Sequence, residues 1–254
     1  MGAHDMTLSR RDALKAAGAL VVGVCLPVGG LKAQTTKGPP PITPNAFIRI
    51  GADDMVTILS KHIEFGQGPY TGLATIAAEE LDADWSKVRV ESAPADAKIY
   101  ANLMLGAQLT GGSSAIANSF DQMRQAGAMA RAMLVQAAAT AWKVPASEIA
   151  VSKGVISHGK SKRSAGLGTF AEAASKLPMP KQVAYKDASA YTLIGKDKPG
   201  VRVDSADKST GRAKFTIDMT APGMLTVLVA RSPRFGGTVR SFDASEAMKV
   251  KWSP

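Results

Sequence analysis

Cysteine is nearly missing: the 254-residue chain has one, at position 25. A single thiol closes no intrachain disulfide. It also cannot build a cysteine-ligated zinc site or an iron–sulfur cluster, both of which need several thiolates. Histidine is almost as scarce, and His4, His62 and His158 are far apart with no ligand spacing. These shortages leave a redox metal one way into the chain, inside an organic cofactor. Aromatic residues make up 6% of the sequence. Lysine and arginine (31) outnumber aspartate and glutamate (21) for a formal charge of +10, but the basic residues are scattered. Scattered charge with few stacking aromatics excludes a nucleic-acid footprint and suits an acidic partner, an anionic cofactor or a membrane surface. The densest basic run, Lys160 to Arg163, is flanked by Gly and Ser and reads as a solvated loop. The apolar run Ala16–Leu26 falls short of the about 20 residues that span a bilayer.

At 45% hydrophobic, the chain has enough apolar residues for a sizeable core in one or two domains. The N-terminus places Arg10-Arg11 before that apolar run, then Pro27 and small residues. This is the three-part layout of an export signal, and the paired arginines resemble the twin-arginine type. Cleavage is expected after Ala33. Cys25 would leave with the signal, and the branched Val24 before it argues against lipidation there. The expected location is therefore the periplasm. Twin-arginine export carries folded proteins, commonly because a cofactor was inserted in the cytoplasm.

Thr35–Pro44 reads as an extended linker. Phe47–Ile50 and Met55–His62 read as strands joined by the turn Gly51-Ala52-Asp53-Asp54. Leu73, Ile76, Ala77 and Leu81 recur at helical spacing, predicting a helix over Thr71–Leu81, and Lys87–Ser92 returns as a strand. From Ile116 to Ala137 the apolar positions predict a helix of roughly thirty residues that ends before Pro145. Ile149–Ser152 and Val155–His158 form a hairpin across Lys153-Gly154, and Thr169 caps a short helix, Phe170–Leu177. Beyond a boundary near Ser189–Asp204, short strands are expected at Phe215–Ile217, Leu225–Ala230 and Val239–Phe242. The fold class is α+β.

Two glycine-rich loops could carry chemistry. Gly66-Gln67-Gly68 lies between a strand and a helix, and Thr110-Gly111-Gly112-Ser113-Ser114 is expected to run straight into the long helix. Helix starts offer unpaired N–H groups, and glycines let an anion approach them. Ser113 also has a purely structural reading, as an N-cap. Neither loop matches the dinucleotide fingerprint or the P-loop.

In this order, "EFGQGPYTGLATIAAEEL" and "TGGSSAIANSFDQMRQAGAMARAMLVQAAA" resemble the molybdopterin-binding region of the xanthine dehydrogenase family. "TGRAKFTIDMTAPGMLTVLVARSPRFGGTVRSFDASEAMKV" resembles the start of that family's α/β-hammerhead domain. The order of the two regions is similar to that in the β subunit of isoquinoline 1-oxidoreductase and in periplasmic aldehyde dehydrogenases. The resemblance implies a signal peptide over 1–33, a linker over 34–45, the first part of a molybdopterin-binding region over 46–188 and an incomplete hammerhead over 189–254. It implies a molybdopterin cofactor, with the cytosine dinucleotide form left open. Gln67 would donate beside the molybdenum, flanked by Gly66 and Gly68. Thr110, Gly111, Gly112, Ser113 and Ser114 would hold the pterin or its phosphate. Ala115 departs from relatives that often carry a hydroxyl there.

The family reaction is hydroxylation of an aldehyde or N-heteroaromatic carbon with water as oxygen source and a glutamate as general base. That glutamate belongs near the family's C-terminus. Here Glu79 and Glu80 are expected to be solvated on their helix, so no catalytic residue and no direct metal ligand is assigned. The implied partners are a small [2Fe-2S] iron–sulfur subunit and a cytochrome c subunit, and association with the inner membrane would come through a partner. The chain reads as the N-terminal part of such a large subunit and is expected to be inactive by itself. The alternative is an exported non-catalytic binding or scaffold module that keeps the fold without the metal.

Overall fold

Gly51–Asp54 turns the chain between two short strands that place everything following. In the computed structural model, which describes residues 20–22, 47–196 and 202–250, β2 (Ile48–Ile50) pairs antiparallel with β3 (Val56–Ser60), Ile48 opposite Ile58. The backbone of β1 (Leu20–Val22), inside the apolar run, pairs antiparallel with β2. The rest of the expected signal, including Arg10, Arg11 and Cys25, lies outside the described residues, as does the linker. Past Asp54, which adopts a left-handed φ of 64°, Gly51 N–H donates to the Met55 carbonyl at 2.9 Å and closes the turn.

After β3 the chain enters α1 (Pro69–Leu81) and returns as β4 (Val88–Ser92), parallel to β3 with Ile58 opposite Val90. Antiparallel neighbours need only a tight turn, whereas parallel ones need a crossover, which α1 supplies. Its start at Pro69 follows from proline's fixed φ and missing N–H, both harmless at a first helical position. A one-turn helix, α2 (Ala97–Tyr100), precedes the glycine-rich stretch. The long α3 (Phe120–Trp142) ends on Lys143 in the left-handed region. A second sheet, β5 (Ile149–Ser152), β6 (Val155–His158) and β7 (Arg163–Gly166), is antiparallel throughout and leads into α4 (Gly168–Ser175). The segment closes with α5 (Ser205–Ser209).

The core lies where α1 and α3 meet over the first sheet. Phe47, Ile48, Ile58, Leu73, Leu81, Met123 and Leu134 are fully buried there. Phe47 meets Tyr100 edge to face at 5.6 Å, and Trp142 meets Phe170 the same way at 5.2 Å. Gly127 of α3 sits against α1 so closely that a Cβ there would lie 2.3 Å from the Ala77 carbonyl oxygen.

The expected solvation of Glu79 and Glu80 is wrong: both are fully buried in α1. Glu79 accepts from Lys186 Nζ at 2.7 Å and from the backbone N–H groups of Thr192, Leu193 and Ile194. Burial alone would raise its pKa, but those donors together hold it below the ordinary carboxylate value. Glu80 pairs with Arg124 at 2.7 Å and accepts from Lys186 N–H at 2.9 Å. Arg124 lies 4.7 Å from the Tyr185 ring centroid, a cation–π contact. The stretch 184–194 is thereby fastened to both helices.

Residues 213–250 form a second unit. The strands expected at Phe215–Ile217, Leu225–Ala230 and Val239–Phe242 are not formed among its described residues, where only short turns at Thr216–Asp218 and Ala247–Lys249 are regular. Ile217 and Leu228 are more than 90% exposed. A strand is stabilised by the neighbour it pairs with, and here the β-prone residues meet none.

Candidate cofactor-binding site

The two glycine loops meet at Ile63, just beyond β3. Ile63 N–H donates to Thr110 Oγ1 at 3.1 Å, and the Ile63 carbonyl accepts from Gln67 Nε2 at 2.9 Å. Ile116 also reaches the first turn of α1, where a Cβ on Gly72 would lie 2.6 Å from its Cδ1. Thus Gln67 and Thr110, 43 positions apart, are anchored on one residue.

In the first loop, Gly66 and Gly68 take φ values of 118° and 98°, which L side chains rarely adopt. A Cβ at either would meet nothing within 4 Å, so the turn is open to solvent on its outer side. Gln67 is exposed; its Oε1 accepts from Phe65 N–H at 2.9 Å. A carboxamide has two N–H groups, and Ile63 takes only one of them. The other is left to donate outward.

Glu64 sets the shape of this turn. Its side chain is only 2% exposed. Oε1 accepts from Gly66 N–H (2.7 Å) and Gly68 N–H (3.1 Å), and Oε2 from Tyr70 N–H (3.3 Å). Burial pushes its pKa up, but those three donors and the nearby Arg202 outweigh it and keep the carboxyl below its usual range. Glu64 has no role assigned from the sequence; its place just ahead of a helix N-terminus was the available signal.

The second loop does not run straight into the long helix. Turns over 115–119 intervene, and α3 starts only at Phe120. Asn118 N–H bonds to the Ser114 carbonyl at 2.9 Å and the Asn118 side chain donates to the same oxygen at 2.6 Å, which rounds the chain off before the helix. Thr110–Ser114 therefore does not lie at a helix N-terminus, and Ser113 is not an N-cap. Ser119 holds the cap position, with no side-chain cap bond. Gly112 and Ser113 are exposed with φ of 62° and 52°. Ser114 is buried and already engaged, donating to the Gly111 carbonyl (2.8 Å) and accepting from Asn102 Nδ2 (2.7 Å).

Beneath the loops lies a buried polar layer that sequence reasoning missed. His62 is 1% exposed, with Nε2 3.0 Å from Asn118 Nδ2 and Nδ1 3.2 Å from Thr110 Oγ1. An amide NH2 can only donate, which assigns the proton to Nδ1. Burial, then the nearby Lys61 charge, lowers the His62 pKa below its usual value, which favours the neutral ring. Lys61, 3% exposed, donates to Gln122 Oε1 (2.8 Å) and the Ala101 carbonyl (3.1 Å), and burial lowers its pKa to about 8. Among the described residues no group of three or more His, Cys, Asp or Glu could hold a metal ion, and no helix is long and apolar enough to cross a membrane.

Residues 7–221 match the model of the molybdopterin cofactor-binding domain. The chain belongs to that family. Molybdopterin is accordingly its cofactor, and the mixed helices and small sheets are an α+β part of that domain. Over 97% of its length, the chain is 35% identical to the β subunit of isoquinoline 1-oxidoreductase from Brevundimonas diminuta, of which it covers 36%. It is 33% identical to a membrane-bound aldehyde dehydrogenase (pyrroloquinoline-quinone) of Gluconacetobacter polyoxogenes, over 82% of the chain and 26% of that protein. A nicotinate dehydrogenase subunit of Pseudomonas putida is 29% identical over 97% of the chain, which covers 20% of it. The chain thus spans about a third or less of each relative. All three are named as oxidoreductases or dehydrogenases, and two as subunits of larger assemblies. The residues fit a pterin ligand: two open glycine turns sit side by side, an outward N–H comes from Gln67 and a hydroxyl from the exposed Ser113.

Proposed function

We propose that this chain supplies the first part of the cofactor-binding region of a molybdenum hydroxylase large subunit. The substrate is an aldehyde or an N-heteroaromatic compound, and electrons leave through an iron–sulfur subunit and then a cytochrome. The observation that carries this reading is the family match over residues 7–221, on a chain whose two glycine loops converge at Ile63. The relatives' names, an isoquinoline and a nicotinate enzyme beside an aldehyde dehydrogenase, support the substrate class.

When bound, the cofactor supplies two-electron oxidation with water as the oxygen source. The chain's own residues bind and orient. Gln67 would offer its second N–H to the cofactor, and the backbone and hydroxyls of Thr110–Ser113 would help to hold it. Ser114 supports the loop from within, because both its bonds are internal. Glu64, Glu79 and Glu80 are all committed to internal donors, so none is assigned as general base. The mature chain, lacking cysteine, would need its iron–sulfur centres on a partner. The hammerhead reading of the C-terminal stretch and the periplasmic location belong to the same proposal, the latter supported by Arg10-Arg11 ahead of the apolar run.

The test is metal and pterin analysis of the complete complex, recovered from the periplasm of a molybdenum-sufficient host. Stoichiometric molybdenum and pterin are expected. An intact exported complex without molybdenum would instead make the chain a scaffold module.

A further inference from the structure

The turn around Gln67 has little of its own to hold it in shape. Gly66 and Gly68 are the most permissive residues available, and the space where their side chains would stand is empty. The order comes from hydrogen bonds, and those reach far along the chain. Arg202, 136 positions from Gly66, donates through one terminal nitrogen to the Gly66 carbonyl at 2.7 Å and through the other to Glu64 Oε1 at 2.9 Å. The same guanidinium is held from behind by Asp204, at 3.3 Å to each of its carboxylate oxygens. Lys208 pairs with Asp204 at 2.5 Å, and Val203 N–H donates to Thr71 Oγ1 at 3.2 Å, which pins this segment to the first turn of α1.

We propose that Arg202 is a positioning residue for Gln67, acting as one arm of a clamp whose other arm is Glu64. Glu64 gathers the N–H groups of Gly66, Gly68 and Tyr70 on the inner side of the turn, and Arg202 holds Glu64 and the outward Gly66 carbonyl at once. The planar fork reaches the two acceptors from two separate nitrogens, whereas a lysine would have to serve both from one nitrogen. With the clamp closed, the Gly66–Gly68 backbone has one conformation, and the second N–H of Gln67 has one direction. The link to the cofactor rests on the function proposed above, whereas the clamp itself does not.

Amide hydrogen exchange on the full chain tests the clamp without reference to any cofactor. In Arg202→Ala, exchange at Gly66, Gly68 and Tyr70 should accelerate on the order of tenfold, as loss of a charge-assisted bond implies, with α3 unchanged. Arg202→Lys, which keeps the charge but not the fork, should fall between the two. In a Glu64→Gln background, Arg202→Ala should add little, because the two residues act as one unit. Unchanged turn amides in Arg202→Ala, or effects of Arg202→Ala and Glu64→Gln that simply multiply, would overturn the proposal. So would uniform acceleration that includes α3, since Arg202 would then serve global stability. Failure of the molybdenum assay with a positive exchange result would leave the clamp standing and remove only its cofactor role.

Discussion

Gln67 turns its carboxamide back on its own loop, bonding Ile63 and Phe65 while staying exposed. Solvent replaces such bonds easily, so Gln67→Ala should cost about 1 kcal/mol of stability or less in urea unfolding. In the complete complex the same variant should retain less pterin and turn over more slowly. A collapse of the fold would instead mark Gln67 as structural. Lys61 gives a pH signature. Burial lowers its folded pKa to about 8, while the unfolded chain keeps the ordinary value near 10.5. Between those values the unfolded state binds more protons, so Lys61 contributes a stability that rises with pH through this window. Thermal unfolding at pH 7.5 and 10 should show that rise, on the order of 1 kcal/mol or more, and Lys61→Met should lack it. At this scale the sequence pointed to Gln67, because two glycines around an uncharged polar residue are legible locally. Glu64 and Arg202 were not, because they meet across 138 positions and no local pattern links them.

Among the elements, the β2–β3 hairpin, the crossover helix and the β5–β6 hairpin were legible, since turn chemistry and periodicity are local signals. The long helix was overextended at its start, because its apolar spacing continues through Ile116 while Asn118 breaks the chain into turns. Burial of Glu79 and Glu80 was hidden for another reason: their partners Lys186 and Thr192–Ile194 come more than 100 residues later. Gly127 carries no local signal that sets it apart in the sequence. Its reason is the α1 backbone, 2.3 Å from where a Cβ would stand. Gly127→Ala should therefore destabilise by about 1–3 kcal/mol, despite alanine's better helix propensity. Unchanged thermal stability would mean that the two helices can separate without cost.

For the molecule as a whole, family membership was legible because the two glycine motifs and their order are specific together, though each alone is weak. The stretch 213–250 carries strand-forming residues that remain exposed, and the chain spans 36% of its isoquinoline-oxidising relative. Both observations agree with the proposal that the activity belongs to a larger assembly, in which this chain would hold part of the cofactor. The most direct measurement is therefore molybdenum and pterin content of that proposed assembly, for wild type beside Gln67→Ala. The account predicts stoichiometric cofactor in wild type and a lowered content in the variant, with both equally folded. Wild-type assembly that is intact and exported yet free of molybdenum and pterin would contradict it.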